Sequence, residues 1–135
     1  MKCLYCDGGT DVINSRLQKQ SNAVWRRRRC KKCKDVFTTI ESISLEQALL
    51  FELSGANLTP FNRDNLFVSI FECLRHRDSQ ISDATHLTNT IISKLLLLKS
   101  ASIKRSDVIR ASTEVLCHFD KAACVQYTAL HKTSD

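Results

Sequence analysis

The sequence predicts an α+β fold, in which a small three-stranded β-module precedes a mainly helical domain with a short β-hairpin. Two Cys-x-x-Cys pairs frame the N-terminal part, and strand-like segments occupy residues 11–16, 24–29 and 36–40. Apolar residues recur at helical spacing through most of the remaining chain. We place the domain boundary so that residues 1–43 form the first domain and residues 44–135 the second.

The two Cys-x-x-Cys pairs have the form of a structural zinc site. Each pair fits a tight turn, and two such turns that face each other provide tetrahedral sulfur coordination. The 23 residues between the pairs suffice for a β-hairpin. A disulfide framework is the alternative, and the odd number of cysteines, seven, disfavours it. We therefore predict that one Zn²⁺ is bound by Cys3, Cys6, Cys30 and Cys33.

The excess positive charge is confined to the cysteine-bearing segment. Residues 1–41 contain ten Lys/Arg and four Asp/Glu, a net +6, whereas residues 42–135 contain ten of each. Four thiolates on one Zn²⁺ contribute about −2 and leave roughly +4 on this segment. A small basic module on a neutral body indicates a polyanionic partner, and nucleic acid is the first candidate.

Four consecutive arginines precede the second cysteine pair. Alternation of side chains along a strand places Trp25, Arg27 and Arg29 on one face and Arg26 and Arg28 on the other. Because arginines occupy both faces, neither face is covered by a large core, and metal must replace the missing core. Trp25 has two interpretations, packing within the module and contact with DNA. The predicted apolar filling consists of Tyr5, Val12, Ile13, Trp25 and Phe37.

The second domain reads as a short hairpin followed by four helices. Residues 42–53 are ambiguous between a strand and a short helix, and Asn62 is a good N-cap for the first long helix. Further helices are predicted over residues 83–99, after Ser102 or Ser106, and after Asp120. Three cysteines fall on the apolar helical stripes and are expected to pack in the core: Cys73, Cys117 and Cys124.

The sequence argues against an enzyme and against a membrane protein. It contains no Gly-rich phosphate loop of the Walker type and no His-Glu-x-x-His motif, and no Cys or Ser has an evident base partner. The longest apolar run, at residues 95–98, is too short to span a bilayer. The N-terminus lacks the apolar segment of a secretory signal. We expect a soluble cytoplasmic protein with reduced thiols.

These residues resemble the NrdR family, bacterial repressors of ribonucleotide reductase genes. The resemblance is close over residues 1–41, where it rests on the cysteine pairs, the segment 12–16, the arginine run and the segment 37–39. Residues 60–66 and 120–127 resemble, more weakly, the ATP-cone that follows the zinc ribbon in that family. The resemblance implies that the ribbon binds promoter DNA, and that the cone senses ATP against dATP and changes the oligomer.

The resemblance also implies two sets of site residues. In the cone, Glu52 and Leu53 occupy the positions at which the family has Lys and Arg. A bound triphosphate would therefore lack the two positive charges expected there. The family arginine at position 63 is retained. Other cations that can supply the charge from the helices are Lys94, Lys99, Lys104 and Arg105. The implied nucleotide-binding positions are Glu52, Leu53, Gly55 and Arg63. The implied DNA-binding residues are Arg16, Arg26, Arg27, Arg28, Arg29, Lys31 and Lys32.

Two functional hypotheses follow from these observations. The first is a zinc-dependent repressor that binds double-stranded DNA at promoters and responds to ATP and dATP. Because one small ribbon buries too little surface for tight specific binding, this hypothesis includes a homo-oligomer that couples several ribbons. The alternative is a zinc-ribbon protein that binds nucleic acid or acts as a scaffold, and whose cone serves for oligomerisation alone.

Overall fold

The computed structural model of the protein describes residues 1–19, 21–53 and 57–131. The chain divides into two compact units, Met1–Ser44 and Leu45–Asp135. The first unit is built from β-strands and the second mainly from helices, which confirms the α+β prediction. Within the described residues, none of the helices has the length and apolarity required to cross a membrane.

The first unit is a three-stranded antiparallel sheet, the ribbon, with strand order β1-β2-β3. Its strands are β1 (Thr10–Gln18), β2 (Ala23–Cys30) and β3 (Val36–Glu41), so all three predicted strands are present. The register of β1 against β2 shifts between Val12 and Asn14, which leaves an irregularity in the sheet at this point.

The ribbon has almost no apolar core. Among the described residues of the ribbon, 1–19 and 21–44, those that are buried and hydrophobic are Ala23 and two of the four clustered cysteines, Cys3 and Cys30. A three-stranded sheet without a second layer offers little surface against which apolar side chains can be buried. The sulfur cluster therefore occupies the place that a hydrophobic core has in a larger domain.

The predicted apolar filling of the ribbon is wrong for three of its five members. Tyr5, Val12 and Ile13 are exposed, at 60%, 41% and 45% of their maximal accessibility. Trp25 and Phe37 are half-buried. Tyr5 and Phe37 pack edge to face with a centroid distance of 6.4 Å, so this contact covers part of one face without enclosing it.

In its described residues, 45–53 and 57–131, the second unit contains the four predicted helices and one short additional helix. The segment at residues 42–53 forms both structures considered for it, a helical turn and then a strand. Asn62 caps its helix as predicted, because its side chain accepts hydrogen bonds from two backbone N–H groups of the first turn. The helices are α1 (Leu45–Ala48), α2 (Arg63–Glu72), α3 (Gln80–Leu96), α4 (Arg105–Phe119) and α5 (Lys121–Leu130).

A small sheet accompanies the helices of the second unit. Its strands are β4 (Leu50–Glu52), β5 (Leu58–Pro60) and β6 (Ser102–Lys104), in the order β5-β4-β6. The predicted hairpin corresponds to β4 and β5, which pair antiparallel, whereas β6 pairs with β4 in parallel. β6 was not predicted, because three residues before a helix are too few to show a strand period.

The described residues of the second unit share one hydrophobic core, and the three cysteines predicted to lie in it differ in burial. Cys73 is fully buried, as expected. Cys117 is exposed and Cys124 is half-buried, so the prediction is wrong for Cys117 and only partly right for Cys124. The reason is their position at the corner between α4 and α5, where the helices turn at the margin of the core. The largest side chains of this core include Ile70, Leu74, Ile91, Leu116 and Tyr127.

Candidate metal centre and nucleic-acid interface

The four cysteines predicted to bind zinc come together in the ribbon. Their Sγ atoms all lie within 4.8 Å of one another. The Sγ atoms of Cys3 and Cys33 are 3.7 Å apart, and those of Cys6 and Cys30 are 3.5 Å apart. A tetrahedron with Zn–S bonds of about 2.3 Å has edges of roughly 3.8 Å. The donor set and its spacing therefore fit one structural Zn²⁺ bound by sulfur alone.

The backbone has the same conformation at both cysteine pairs. In each pair the N–H of the first cysteine donates to the carbonyl oxygen five residues later, at 2.8 Å and 2.9 Å. The residue after the second cysteine is left-handed in both cases, with φ of 55° at Asp7 and 67° at Lys34. Each pair is thus a closed turn that presents two sulfur atoms to the same point.

Backbone N–H groups are directed at the sulfur atoms. The N–H groups of Lys32 and Cys33 donate to Cys30 Sγ at 3.3 Å and 3.4 Å. Burial raises the pKa of the Cys30 thiol, but these two donors, together with hydrogen bonds to the thiols of Cys6 and Cys33, outweigh it and bring the pKa down to about 6. The N–H of Asp35 lowers the pKa of Cys33, whereas burial, the Asp35 carboxyl and Cys30 raise it more, so the net shift is upward. Within the second pair, Cys30 is thus the thiol that loses its proton more readily, as a zinc ligand must.

Gly8 lies against the sulfur cluster. A Cβ atom at this position would lie 3.0 Å from Lys32 Cβ, 3.2 Å from Cys30 Sγ and 3.4 Å from Cys6 Sγ. A larger residue would require these neighbouring atoms to move by a few tenths of an ångström. The close approach of the two cysteine pairs therefore favours glycine here.

The sheet register distributes the arginines between two faces. Arg16 lies opposite Trp25, and Arg27 lies opposite Asn14 on β1. Directly opposed residues of an antiparallel pair share a face, as do alternate residues along one strand. Arg16, Trp25, Arg27 and Arg29 therefore lie on one face of the ribbon, and we call this set the basic face. Trp25 is half-buried there, between Arg16 on β1 and Ile40 on β3.

The other two arginines are engaged within the sheet. Arg26 donates to Glu41 Oε2 from Nε at 3.1 Å and from Nη2 at 2.9 Å. Arg28 Nε donates to Thr39 Oγ1 at 3.1 Å. By contrast, Arg27 and Arg29 are exposed, and neither makes an ion pair with any residue that the structure describes.

The two predicted lysines differ in the same way. Lys31 Nζ lies 3.0 Å from Asp11 Oδ1, so its charge is partly neutralised. Lys32 is exposed and makes no ion pair within residues 1–19, 21–53 and 57–131. Among the predicted DNA-binding residues, Arg26, Arg28 and Lys31 are therefore engaged by neighbouring side chains. The cations that are available to a polyanion are Arg16, Arg27, Arg29 and Lys32.

A second candidate site lies in the second unit, where the small sheet meets the helices. A cavity of about 310 Å³ is walled by aromatic and apolar side chains, among them Phe51, Phe61 and Tyr127. Arg105, at the start of α4, also lines it. Further polar groups in its wall are Thr59, Asn62, Asn65, Ser69 and His131.

The predicted nucleotide-binding residues are only partly at this cavity. Leu53 lines it, but Glu52 does not, because successive residues of a strand face opposite sides. Arg63 is directed elsewhere and donates from Nη2 to Asn89 Oδ1 at 3.0 Å. Gly55 lies outside the described residues. Arg105, one of several cations considered for this role, lines the cavity. A cation at a helix N-terminus is unfavourable for the helix dipole, and this unusual position is the sequence signal that could have singled out Arg105.

The fold and the sulfur cluster together define a zinc-ribbon protein. The family described as "Transcriptional repressor NrdR-like, N-terminal domain" matches residues 1–41. Over 133 residues the chain is 30% identical to the "Transcriptional repressor NrdR" of Phenylobacterium zucineum, with 98% of this chain and 85% of that protein covered. It is 28% identical to the protein of that name from Nitrosospira multiformis over 134 residues, covering 98% and 84%. The chain belongs to the NrdR family of transcriptional repressors.

Family membership confirms the resemblance that the sequence motifs indicated. The relatives are named as transcriptional repressors over nearly the full length of this chain, so the chain is a regulator and not an enzyme.

Proposed function

We propose that the chain is a zinc-dependent repressor of ribonucleotide reductase genes that binds double-stranded promoter DNA in the cytoplasm. The observation that carries this proposal is the basic face, where Arg16, Arg27 and Arg29 project from a sheet that the sulfur cluster holds rigid. Guanidinium groups form paired hydrogen bonds with phosphates or with guanine edges. The major groove, about 12 Å wide, admits a two-stranded β-ribbon such as β1 and β2.

A gel-shift titration tests this proposal. The probe is a duplex from upstream of a ribonucleotide reductase operon of the source genome, and the control is a scrambled duplex of the same length. If about four phosphates are neutralised, affinity is expected to fall roughly a hundredfold as salt rises from about 50 to about 200 mM. The promoter duplex is expected to bind more tightly than the scrambled one at both salt concentrations. Equal binding of the two duplexes would favour the general nucleic-acid-binding alternative, and salt-independent binding would contradict the electrostatic contact.

We also propose that the cavity beside the small sheet binds ATP or dATP as the effector. Its size and its aromatic walls suit a nucleobase, and Arg105 suits a phosphate group. The family positions that hold Lys and Arg are Glu52 and Leu53 here, and this supports an affinity below that of a cone with both cations.

Replacing Arg105 with alanine is expected to weaken binding of ATP and dATP about tenfold to a hundredfold. A charge-assisted hydrogen bond contributes roughly 1.5–3 kcal/mol, and about 1.4 kcal/mol corresponds to a factor of ten. Isothermal titration with each nucleotide measures the change. Lys104→Ala is the matched control, because this adjacent exposed lysine does not line the cavity.

Adding a cation to the cavity wall completes the nucleotide test. Leu53→Arg is expected to tighten nucleotide binding because Leu53 lines the cavity, whereas Glu52→Lys is expected to have a smaller effect because Glu52 does not. A wild type that binds nucleotide at low micromolar concentration, with no effect of either Arg105→Ala or Leu53→Arg, would show that the effector does not use this cavity.

Self-association through the helical unit is the last part of the proposal. One ribbon is a small module, and joining two or more raises the effective concentration of the second DNA contact. Analytical ultracentrifugation with and without nucleotide and DNA tests it. A monomer under all of these conditions would exclude the oligomeric repressor.

A further inference from the structure

Two cysteines outside the zinc cluster are joined across the corner between α4 and α5. Cys117 lies in the last turn of α4 and Cys124 in the first turns of α5, and a disulfide links them. Their Cα atoms are 4.8 Å apart, within the range of about 4.4–6.8 Å that disulfides require. The backbone therefore brings the two sulfur atoms together at a place that no part of the DNA-binding or effector proposal uses.

The seven cysteines of the chain differ in their access to solvent. Cys117 is exposed and Cys124 is half-buried beside it. Cys73 is free but fully buried, and the other four belong to the sulfur cluster. A small reagent in solution therefore meets Cys117 first, and a second sulfur is already within bonding reach.

We propose that Cys117 and Cys124 form a reversible thiol–disulfide site that reacts with small disulfides such as oxidised glutathione. The Cys117 thiolate attacks one sulfur of the small disulfide and releases one small thiolate, which leaves a mixed disulfide. The Cys124 thiolate then attacks the Cys117 sulfur and releases the second small thiolate. Overall the two cysteine thiols lose two electrons and two protons, and the small disulfide takes up both to become two small thiols.

Non-covalent contacts hold the corner in place when the two thiols are reduced. Asp120 caps α5 by accepting the Ala123 N–H at 3.1 Å. The same carboxylate accepts hydrogen bonds from His76 Nε2 at 2.9 Å and from Arg77 Nη1 at 3.2 Å. The Arg77 guanidinium also lies 4.7 Å from the centre of the Phe119 ring. These contacts keep the thiols close together, so the bond can open and close without loss of the fold.

Mass spectrometry of the full-length, zinc-loaded protein tests the reaction. The reduced protein is treated with oxidised glutathione, the remaining thiols are alkylated, and intact mass and non-reduced peptides are measured. The wild type is expected to lose the two thiols of Cys117 and Cys124, to contain the peptide pair that holds them, and to retain no glutathione. Cys124→Ser is expected to stop at the mixed disulfide on Cys117. Cys73→Ser is the matched control and is expected to react like the wild type.

Thermal unfolding provides a second readout. The disulfide closes a short loop, so oxidation is expected to raise the midpoint for the helical unit by roughly 10 °C, and Cys117→Ser and Cys124→Ser lack this shift. Dithiothreitol is expected to restore both thiols and the lower midpoint. Glutathione retained on wild-type Cys117, unreacted thiols, or a disulfide that dithiothreitol cannot open would each overturn the proposal.

Discussion

Replacing Cys30 with serine is expected to abolish zinc binding and to unfold the ribbon, while the helical unit keeps its fold. Cys30 is buried, and its Sγ accepts hydrogen bonds from the N–H groups of Lys32 and Cys33 in the turn of the second cysteine pair. Apart from Ala23, the buried apolar groups in the part of the ribbon that the structure describes are cysteines of this cluster. Binding energy of the metal is therefore folding energy for this unit. The helical unit has its own core, formed entirely by residues after Ser44.

Metal analysis and two-dimensional amide NMR spectra check this expectation. The wild type should contain one zinc per chain, and Cys30→Ser should lose it together with the dispersed amide signals of the ribbon strands. Cys73→Ser is the matched control, since this cysteine is equally buried but lies in the helical unit, so it should keep its zinc. A metal-free wild type with a fully folded ribbon would refute the role of the metal.

Removing Arg27 and Arg29 together is expected to weaken promoter binding about a hundredfold or more. Each arginine that reads a base contributes on the order of 1–3 kcal/mol, and each arginine removed from a phosphate reduces the salt slope by about one. Both side chains are exposed on the basic face and are not engaged by an acidic neighbour in the part of the ribbon that the structure describes. Gel shifts at two salt concentrations measure affinity and slope.

The matched control removes the same charge from the same strand. Arg26 and Arg28 donate to Glu41 and Thr39 on the opposite face, and exposed pairs of this kind contribute little to stability. Arg26→Ala/Arg28→Ala is therefore expected to weaken DNA binding much less than Arg27→Ala/Arg29→Ala. Equal losses would show that net charge matters and the basic face does not. An unchanged affinity in both variants, with zinc still bound, would exclude DNA contact through β2.

The cysteine spacing and the strand alternation were sufficient to predict the ribbon and its two arginine faces. Both features depend on local geometry. Two short turns determine where the sulfur atoms lie, and the alternation of side chains along a strand determines which face each arginine occupies. The long helices were predictable for the same reason, because their apolar residues repeat over several turns. The arginines on both faces predicted that no large core covers the sheet, but they did not show that Tyr5 and Ile13 also lack partners within the ribbon and are exposed.

Features that depend on how the helices and strands pack against one another were missed. β6 is too short to carry a period, and it becomes a strand because β4 lies beside it. The approach of Cys117 to Cys124 depends on the turn around Asp120, which brings two apolar stripes to the margin of the core. Arg105 was one of several cations considered for phosphate binding, and only the structure shows that it lines the cavity.

The parallel pairing of β4 with β6 sets the order in which the second unit can fold. Leu50 lies opposite Ser102, about fifty positions later in the chain, and α2 and α3 occupy the interval. An isolated hairpin of β4 and β5 is too small to be stable, and pairing with the third strand requires closure of the long loop that contains those helices. During synthesis the ribbon can take up its metal and fold well before residue 102 leaves the ribosome. The sheet beside the cavity is therefore expected to close in one of the last steps of folding, long after the DNA-facing unit has formed.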